Sequence, residues 1–469
     1  MPYHTTPWQF YDVAVGLCPQ CLGQATGHIV FQDDKVWFDK RCPRHGLQRV
    51  LLDDDIAWFR RCREDFLSPG GQPNQPATAV RHGCPYDCGL CPDHQQHTCV
   101  AVMEITDHCN LACPECYASS GPHRPQYRSL AEIDVMLDGI ARSEDTLNVL
   151  QLSGGEPTLH PDFFEIVRRC KARSIRHLMV NTNGVRLAED RAFAEQLAAC
   201  RPLFEVYLQF DSLRGDRLIK MRGQDLRPVR DRALQTLEEL NISTTLVVTL
   251  KKGVNDDEVG DLIRHALKFR CVRGVTLQPV QHAGRFPAPD AAVDRLTFGR
   301  VRQLVLEQSG LFKPADVVPV PCHSDCLAMA YAFKLAGATV PLSSLLDPTI
   351  LVQAMDGNAM TLEQDHQRAA LLYEAFQAKH SPSSHTAALK DLLTCLPNPG
   401  CLGELTYANV FRLMIVQFMD AWNLEQRAVQ RSCIHIVHPD GRLIPFDTYN
   451  ILHRLGRPRL PEEATPLHP

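Results

Sequence analysis

From residue 100 onward the chain alternates between two hydrophobic periods. Short apolar runs over 100–106, 147–153, 177–182, 205–212, 243–250 and 274–279 read as strands. Between them, 129–142, 163–173, 189–199, 229–240 and 257–268 repeat apolar residues at helical spacing; in the first, Leu130, Ile133, Leu137 and Ile140 share one face. Six strand–helix alternations predict an α/β fold with a parallel sheet and right-handed crossovers. Six such units close three-quarters of an eight-unit barrel, which makes a partial, TIM-like (β/α)6 barrel the expected core. Upstream, 27–31 and 35–39 read as two strands around Asp33-Asp34, and 53–66 as a helix with Ile56, Phe59 and Phe66 available for burial. The Pro/Gly-rich stretch 68–76 reads as a linker. Residues 408–422 are apolar almost all round, which predicts a buried helix or the wall of an apolar channel. The Pro-rich end, 455–469, reads as irregular. The expected units are 1–66, 67–100, 101–290 and 291–469.

A chain of 469 residues exceeds one ordinary core and suits two or three domains. The formal charge of −5 argues against nonspecific nucleic-acid binding. The start, Met1-Pro2-Tyr3-His4, lacks the features of a signal peptide. No apolar run reaches about 18 residues, so no integral membrane segment is expected. The most apolar stretch, 327–346, is broken by Lys334, Gly337 and Pro341.

Nineteen cysteines change the picture. In a long chain without a signal peptide, clustered cysteines point to metal sites in a reducing cytoplasm and to oxygen sensitivity. Cys18-x2-Cys21 and Cys42-x2-His45 flank the first predicted hairpin, the layout of a zinc ribbon or a rubredoxin-like iron site. His45 is the expected fourth ligand and Cys62 the alternative; zinc and mononuclear iron both fit. Cys84, Cys88 and Cys91 follow C-x3-C-x2-C, with Cys99 eight residues on as a fourth thiolate and His94 or His97 as other candidates. That set suits a fully ligated auxiliary iron–sulfur cluster, with zinc as the rival. Cys322, Cys326 and Cys433, completed by Cys395 or Cys401, form a candidate second auxiliary cluster, again with a zinc site as rival. Cys170, Cys200 and Cys271 stand singly and read as core residues.

The remaining triplet, Cys109-x3-Cys113-x2-Cys116, follows directly on the first barrel strand. Strand ends of this kind are where α/β folds place their chemistry. Three thiolates turned toward one point suit a [4Fe-4S] cluster with one iron left free for a ligand. Some forty residues later the second strand runs into Gly154-Gly155-Glu156, where two glycines let backbone approach a ligand. Together these motifs resemble the radical S-adenosylmethionine (SAM) superfamily over about residues 100–290. The resemblance implies that the free iron binds SAM and that Gly154, Gly155 and Glu156 meet the methionine amino group. It places the backbone of Tyr117 at the adenine, and Asn183, Gln209, Asp211 and Thr249 at the ribose, the carboxylate or the substrate. Reductive cleavage of SAM to a 5′-deoxyadenosyl radical and hydrogen abstraction from an unactivated carbon would follow, with ferredoxin or flavodoxin as electron donor. The catalytic residues proper are not assigned.

A closer resemblance spans nearly the whole chain. The order Cys18-Pro-x-Cys21, Cys42-Pro-x-His45-Gly46, Gly83-Cys84-Pro-x-Asp87-Cys88, the Cys109 loop, Pro321-Cys322-x3-Cys326 and Ile444-Pro445-Phe446-x2-Tyr449-Asn450 is similar to one radical SAM group. That group contains archaeal tetraether lipid synthase and the methanogen enzyme that methylates a hydroxymethyl-dihydropterin. It implies two or three [4Fe-4S] clusters, a mononuclear site at the amino terminus, and C–C bond formation or methylation of a lipid or pterin-like substrate. Members of the group often carry a cysteine in the Pro-Phe segment, where this chain has Asp447. Two other readings stay open: a peptide-modifying radical SAM enzyme with auxiliary clusters, and a non-catalytic zinc-binding protein.

Overall fold

In a computed structural model, residues 7–66, 71–286, 292–335, 338–344 and 409–454 are described. The amino-terminal pattern folds into four antiparallel strands, β1 (Gln9–Leu17), β2 (Gln24–Gln32), β3 (Lys35–Cys42) and β4 (Gly46–Asp53), in sheet order β1-β2-β3-β4. The expected pair corresponds to β2 and β3. Asp33 and Asp34 both take positive φ (53° and 57°), the left-handed pair that a two-residue hairpin turn requires. β1 escapes a reading by alternation because its first half, from Gln9 to Val13, is exposed or half-buried throughout. Helix α1 (Ile56–Glu64) starts where the Asp55 carboxylate accepts the Trp58 N–H at 2.9 Å, and it buries Trp58, Cys62 and Arg63.

The predicted barrel strands are β5 (Val100–Thr106), β6 (Leu147–Gly154), β7 (Ile175–Thr182), β8 (Phe204–Gln209), β9 (Thr244–Leu250) and β10 (Val272–Pro279). They pair in parallel, each with the next. Helices α2 (Leu130–Ser143), α3 (Phe163–Lys171), α4 (Val185–Glu189), α5 (Arg191–Ala198), α6 (Gly215–Arg222), α7 (Arg227–Glu239) and α8 (Val259–Leu267) connect them. Ser129 and Glu132 form a capping box at the start of α2, so the boundary read from the pattern holds to within a residue. Alternate strand residues such as Leu150, Leu152, Val180 and Leu246 pack against the helices in one large core, while Val149, Met179, Tyr207 and Val247 face the barrel interior.

The carboxy-terminal part continues this sheet. It adds α9 (Phe298–Ser309), β11 (Val318–Pro319), β12 (Leu327–Leu335), β13 (Ala338–Pro341), β14 (Val410–Val416), a short helix α10 (Gln426–Gln430), β15 (Ile434–Val437) and β16 (Leu443–Pro445). β14 pairs in parallel with β10, and β15 in parallel with β5, so each edge of the six-stranded core gains a strand. Among the described residues this sheet has 12 strands. The helix expected over 408–422 is therefore a correction: Val410–Val416 is a strand, with Phe411, Leu413 and Ile415 fully buried. A short apolar run covered on both faces carries no period that separates strand from helix. Among the described residues no helix is long and apolar enough to cross a membrane. The stretch 455–469 lies outside the described residues.

Candidate metal and cofactor centre

β5 delivers the Cys109 loop to the carboxyl end of the sheet, beside the end of β6. Gly154, at φ +119°, lies so close to β5 that a Cβ there would meet the Thr106 carbonyl oxygen at 2.2 Å. A Cβ on Gly155 would meet the His108 oxygen at 2.0 Å. In place of side chains, the Gly155 and Glu156 N–H groups donate to the Thr106 and His108 carbonyls, each at 2.7 Å. From the other side the segment after β10 clamps the loop. Arg285 exchanges backbone hydrogen bonds with Cys116 at 2.9 Å, and its guanidinium donates to the carbonyls of Cys113 (2.7 Å) and Ser120 (2.8 Å).

Cys109, Cys113 and Cys116 line one cavity of about 170 Å³ together with Tyr117, Gly154 and Gly155. Burial pushes the Cys109 thiol up to about 12 and raises Cys113 as well, against the pull of the Arg222 guanidinium. Thiols held this way stay neutral until a metal replaces the proton. No fourth cysteine and no histidine among the described residues lines the cavity. The donor set thus fits a cluster that keeps one iron open. Asn183 lines the same cavity, donating to Asn110 Oδ1 at 2.8 Å, as does Gln209, whose amide donates to Asn181 Oδ1 at 2.9 Å.

Two expected ligands are placed otherwise. The Glu156 carboxylate is buried and accepts from Thr158 N (3.1 Å), Thr158 Oγ1 (2.6 Å), Thr182 Oγ1 (2.8 Å) and Asn183 N (2.8 Å). It ties the ends of β6 and β7 together and positions Asn183; the glycines before it face the cavity. Asp211, at φ +64°, is fully buried and held by Arg222 (2.7 and 2.8 Å), Arg230 (2.8 Å) and Thr249 N (3.1 Å). Burial alone would raise its carboxyl, but the two guanidinium groups outweigh it and hold the group down at about 2. Thr249 lines the cavity while its hydroxyl accepts from Arg222 at 3.1 Å.

The amino-terminal set converges as expected. The ligand atoms of Cys18, Cys21, Cys42 and His45 all lie within 4.8 Å of one another, a separation suited to one tetrahedral ion. Gln48 donates to Cys18 Sγ at 3.2 Å, and the Cys18 thiol is lowered to about 6. Cys62, the alternative ligand, is packed with Trp58 in the main core.

The auxiliary cysteines are regrouped. Cys84, Cys88 and Cys91 line one small cavity, and Thr448 Oγ1 lies 3.2 Å from Cys88 Sγ. Cys99 is not with them. Its thiol lies with those of Cys322 and Cys433, all within 4.8 Å, because Cys99 leads into β5 and Cys433 into the neighbouring β15. His97 Nε2 stands 3.7 Å from Cys99 Sγ, and its Nδ1 stands 3.3 Å from the Glu144 carboxylate. Cys326 does not join this group; the turn after Pro321–His323 carries it into the buried cluster that contains Cys84. His94 pairs with His435, at 3.2 Å between their Nε2 atoms. Cys395 and Cys401 lie outside the described residues. Cys170 and Cys271 are core residues, and Cys200 packs half-buried against the same core.

Against known families, residues 103–266 match the radical SAM superfamily. These residues form a radical SAM domain. Residues 10–54 match the zinc ribbon domain described as the HMPTM N-terminal zinc ribbon. The 7,8-dihydro-6-hydroxymethylpterin dimethyltransferase of Methanocaldococcus jannaschii is 29% identical, over 94% of this chain and 93% of that one. The GTP 3′,8-cyclase of Listeria monocytogenes serovar 1/2a is 31% identical over 187 residues, 39% of this chain and 55% of that one. Among solved structures, Streptococcus suis SuiB bound to S-adenosylmethionine overlaps at TM-score 0.35 and 15% identity, over 44% of this chain and 46% of that one.

Within this radical SAM enzyme, sequence reasoning passed over Gly284-Arg285 and the pair His97–Glu144. The first carried a signal, a Gly-Arg step five residues beyond the sixth strand. At φ +66°, Gly284 sits where a Cβ would lie 2.2 Å from the Tyr117 carbonyl oxygen. The second carried none, since Glu144 ends α2 and only the fold brings it to His97.

Proposed function

We propose that this radical SAM enzyme transfers a methyl-derived carbon to a reduced, pterin-like ring. The observation that carries the reading is the end-to-end likeness to a dihydropterin dimethyltransferase, over 94% of this chain, around an open three-thiol loop. Cys109, Cys113 and Cys116 hold the SAM cluster; Cys84, Cys88 and Cys91 hold an auxiliary cluster. Cys99, Cys322 and Cys433, with His97 as fourth ligand, form a further metal centre in which Glu144 orients the imidazole. Cys18, Cys21, Cys42 and His45 hold zinc. Bound at the Cys109 loop, cluster and SAM together supply the means to take hydrogen from an unactivated C–H bond. The chain itself fixes the loop through Arg285, gives the ligand backbone access at Gly154 and Gly155, and orients the Asn183 amide through Glu156. None of the described cysteines forms a disulfide, in keeping with a reducing cytoplasm and a donor such as ferredoxin or flavodoxin.

The test is anaerobic reconstitution with iron and sulfide counting, then mass spectrometry of SAM products under strong chemical reduction, with SAM and 7,8-dihydro-6-hydroxymethylpterin present. The expected result is 5′-deoxyadenosine together with a methylated pterin, both absent from Cys113→Ala. No 5′-deoxyadenosine above the Cys113→Ala level would overturn the enzyme reading. 5′-Deoxyadenosine with unchanged pterin would overturn the substrate.

A further inference from the structure

The barrel interior changes character along its axis, and strand alternation sets the change. Val149, Met179, Tyr207 and Val247 pack together on the inner face. Two residues further along the same strands come Gln151, Asn181, Gln209 and Thr249, and β10 adds Gln278 in register with Thr249. A second cavity, of about 90 Å³, opens at this band. It shares Tyr117, Asn181, Gln209, Gln278, Phe418 and Phe446 with the cavity of the Cys109 loop, so the two adjoin. Cys99 and Cys433 line it as well.

The polar wall of this chamber is a linked ladder. Asn181 donates to Ser153 Oγ at 3.2 Å, Gln209 donates to Asn181 Oδ1 at 2.9 Å, and Gln278 donates to the Tyr207 hydroxyl at 3.2 Å. Each bond uses an amide N–H. Among the described residues no donor meets Gln209 Oε1 or Gln278 Oε1, and Gln151, in the same wall, makes no side-chain hydrogen bond. Beside the ladder stand flat apolar surfaces: Phe418 and Phe446 stack with centroids 4.0 Å apart and planes at 28°, and Tyr117 lies 5.2 Å from Phe446.

We infer that Gln209 and Gln278, held by this ladder, determine substrate specificity by reading the hydrogen-bonding edge of a flat nitrogen heterocycle stacked on the aromatic wall. The inference rests on the pterin reading above. An alkyl chain in the same chamber would leave the Gln209 and Gln278 amide oxygens dry and unpaired, which selects against it. A heterocycle with ring N–H and exocyclic amine groups along one edge pairs with their oxygens, and its faces suit the aromatic rings.

The test measures equilibrium binding of 7,8-dihydro-6-hydroxymethylpterin to the reconstituted full chain, with 1-octanol as an apolar probe. Gln209→Leu and Gln278→Leu keep the side-chain volume and remove the hydrogen bonds. Each is expected to weaken pterin binding by roughly tenfold or more and to leave octanol binding equal or tighter. Ser153→Ala, which deletes one hydroxyl, loses affinity in the same direction by less. Iron and sulfide counts equal to those of the unaltered protein establish that the variants are folded. Pterin binding within about twofold in both leucine variants, with the unaltered protein binding pterin, would overturn the ladder and leave the proposed function standing. An unaltered protein that binds octanol and no pterin would remove both.

Discussion

Asp211 accepts from the half-buried Arg222 and the buried Arg230, and is itself inaccessible to solvent. Its carboxyl is held at about 2 against an ordinary value of 3.8, so the native state binds fewer protons there than the unfolded chain. Its contribution to stability is complete above about pH 4 and is lost as the pH falls through about 2. Asp211→Asn would strand both guanidinium groups, and a loss of about 3–5 kcal/mol is expected in urea unfolding at neutral pH. Its unfolding midpoint should also change less between pH 4 and pH 2 than that of the unaltered protein. At the Cys99 group, single Ser replacements of Cys99, Cys322 and Cys433 should each remove the same metal, by metal counting and optical spectrum. Cys84→Ser should remove a different one; if Cys99→Ser matched Cys84→Ser instead, the grouping would be wrong. Each cysteine was legible from the sequence as a candidate metal ligand, but the partnership of Cys99 was not. Nearness in sequence pointed to Cys91, and strand pairing decided for Cys433.

Two elements show what a short segment can conceal. The run Val410–Val416 is apolar apart from the buried Arg412, and only its pairing with β10 and β12 makes it a strand. The Gly284-Arg285 step is two residues in an otherwise unremarked loop, yet it closes on the Cys116 backbone and fixes the cysteine loop from the side opposite the strand. Gly284→Val combines an unfavourable φ of +66° with a Cβ 2.2 Å from a carbonyl oxygen. Most of the SAM-cluster iron should therefore be lost in Gly284→Val, while the metal of the amino-terminal module is retained. Metal analysis of the variant against Cys113→Ala checks this.

The molecule is knit across its length by buried polar links. Lys40 of β3, fully buried, donates to the Leu17 and Trp422 carbonyls, and burial lowers its ammonium to about 8. Gly16 bridges to Glu425, and Arg63 of α1 pairs with Glu425 and with Asp325 at 3.1 Å. The zinc ribbon thus rests on the segment between β14 and β15, which leads on to Cys433. Removing the amino-terminal metal, by chelation or by Cys21→Ser, should destabilise the protein and lower its Tm, by roughly 2–4 °C for each kcal/mol lost. Backbone amides of 419–425 should exchange faster with solvent water, measured by hydrogen–deuterium exchange. Unchanged exchange there would mean that the ribbon docks without supporting this segment.

The sequence alone determined the parallel barrel, the three-cysteine loop at its first strand end, the glycine pair at its second and the amino-terminal group of three cysteines and a histidine. These are local facts: strand and helix periods, and cysteines a few residues or one hairpin apart, brought to one cavity or one group by their spacing. Only the tertiary structure decided that Cys99 joins Cys322 and Cys433, that Asp211 and Glu156 are held by protein partners, and that the barrel wall is an amide ladder. Each of these depends on which strands lie side by side and which residues share an inner face. Contacts made across strands and turns, whether 11 positions apart as for Asp211 and Arg222 or hundreds as for Cys99 and Cys433, leave no local spacing to read.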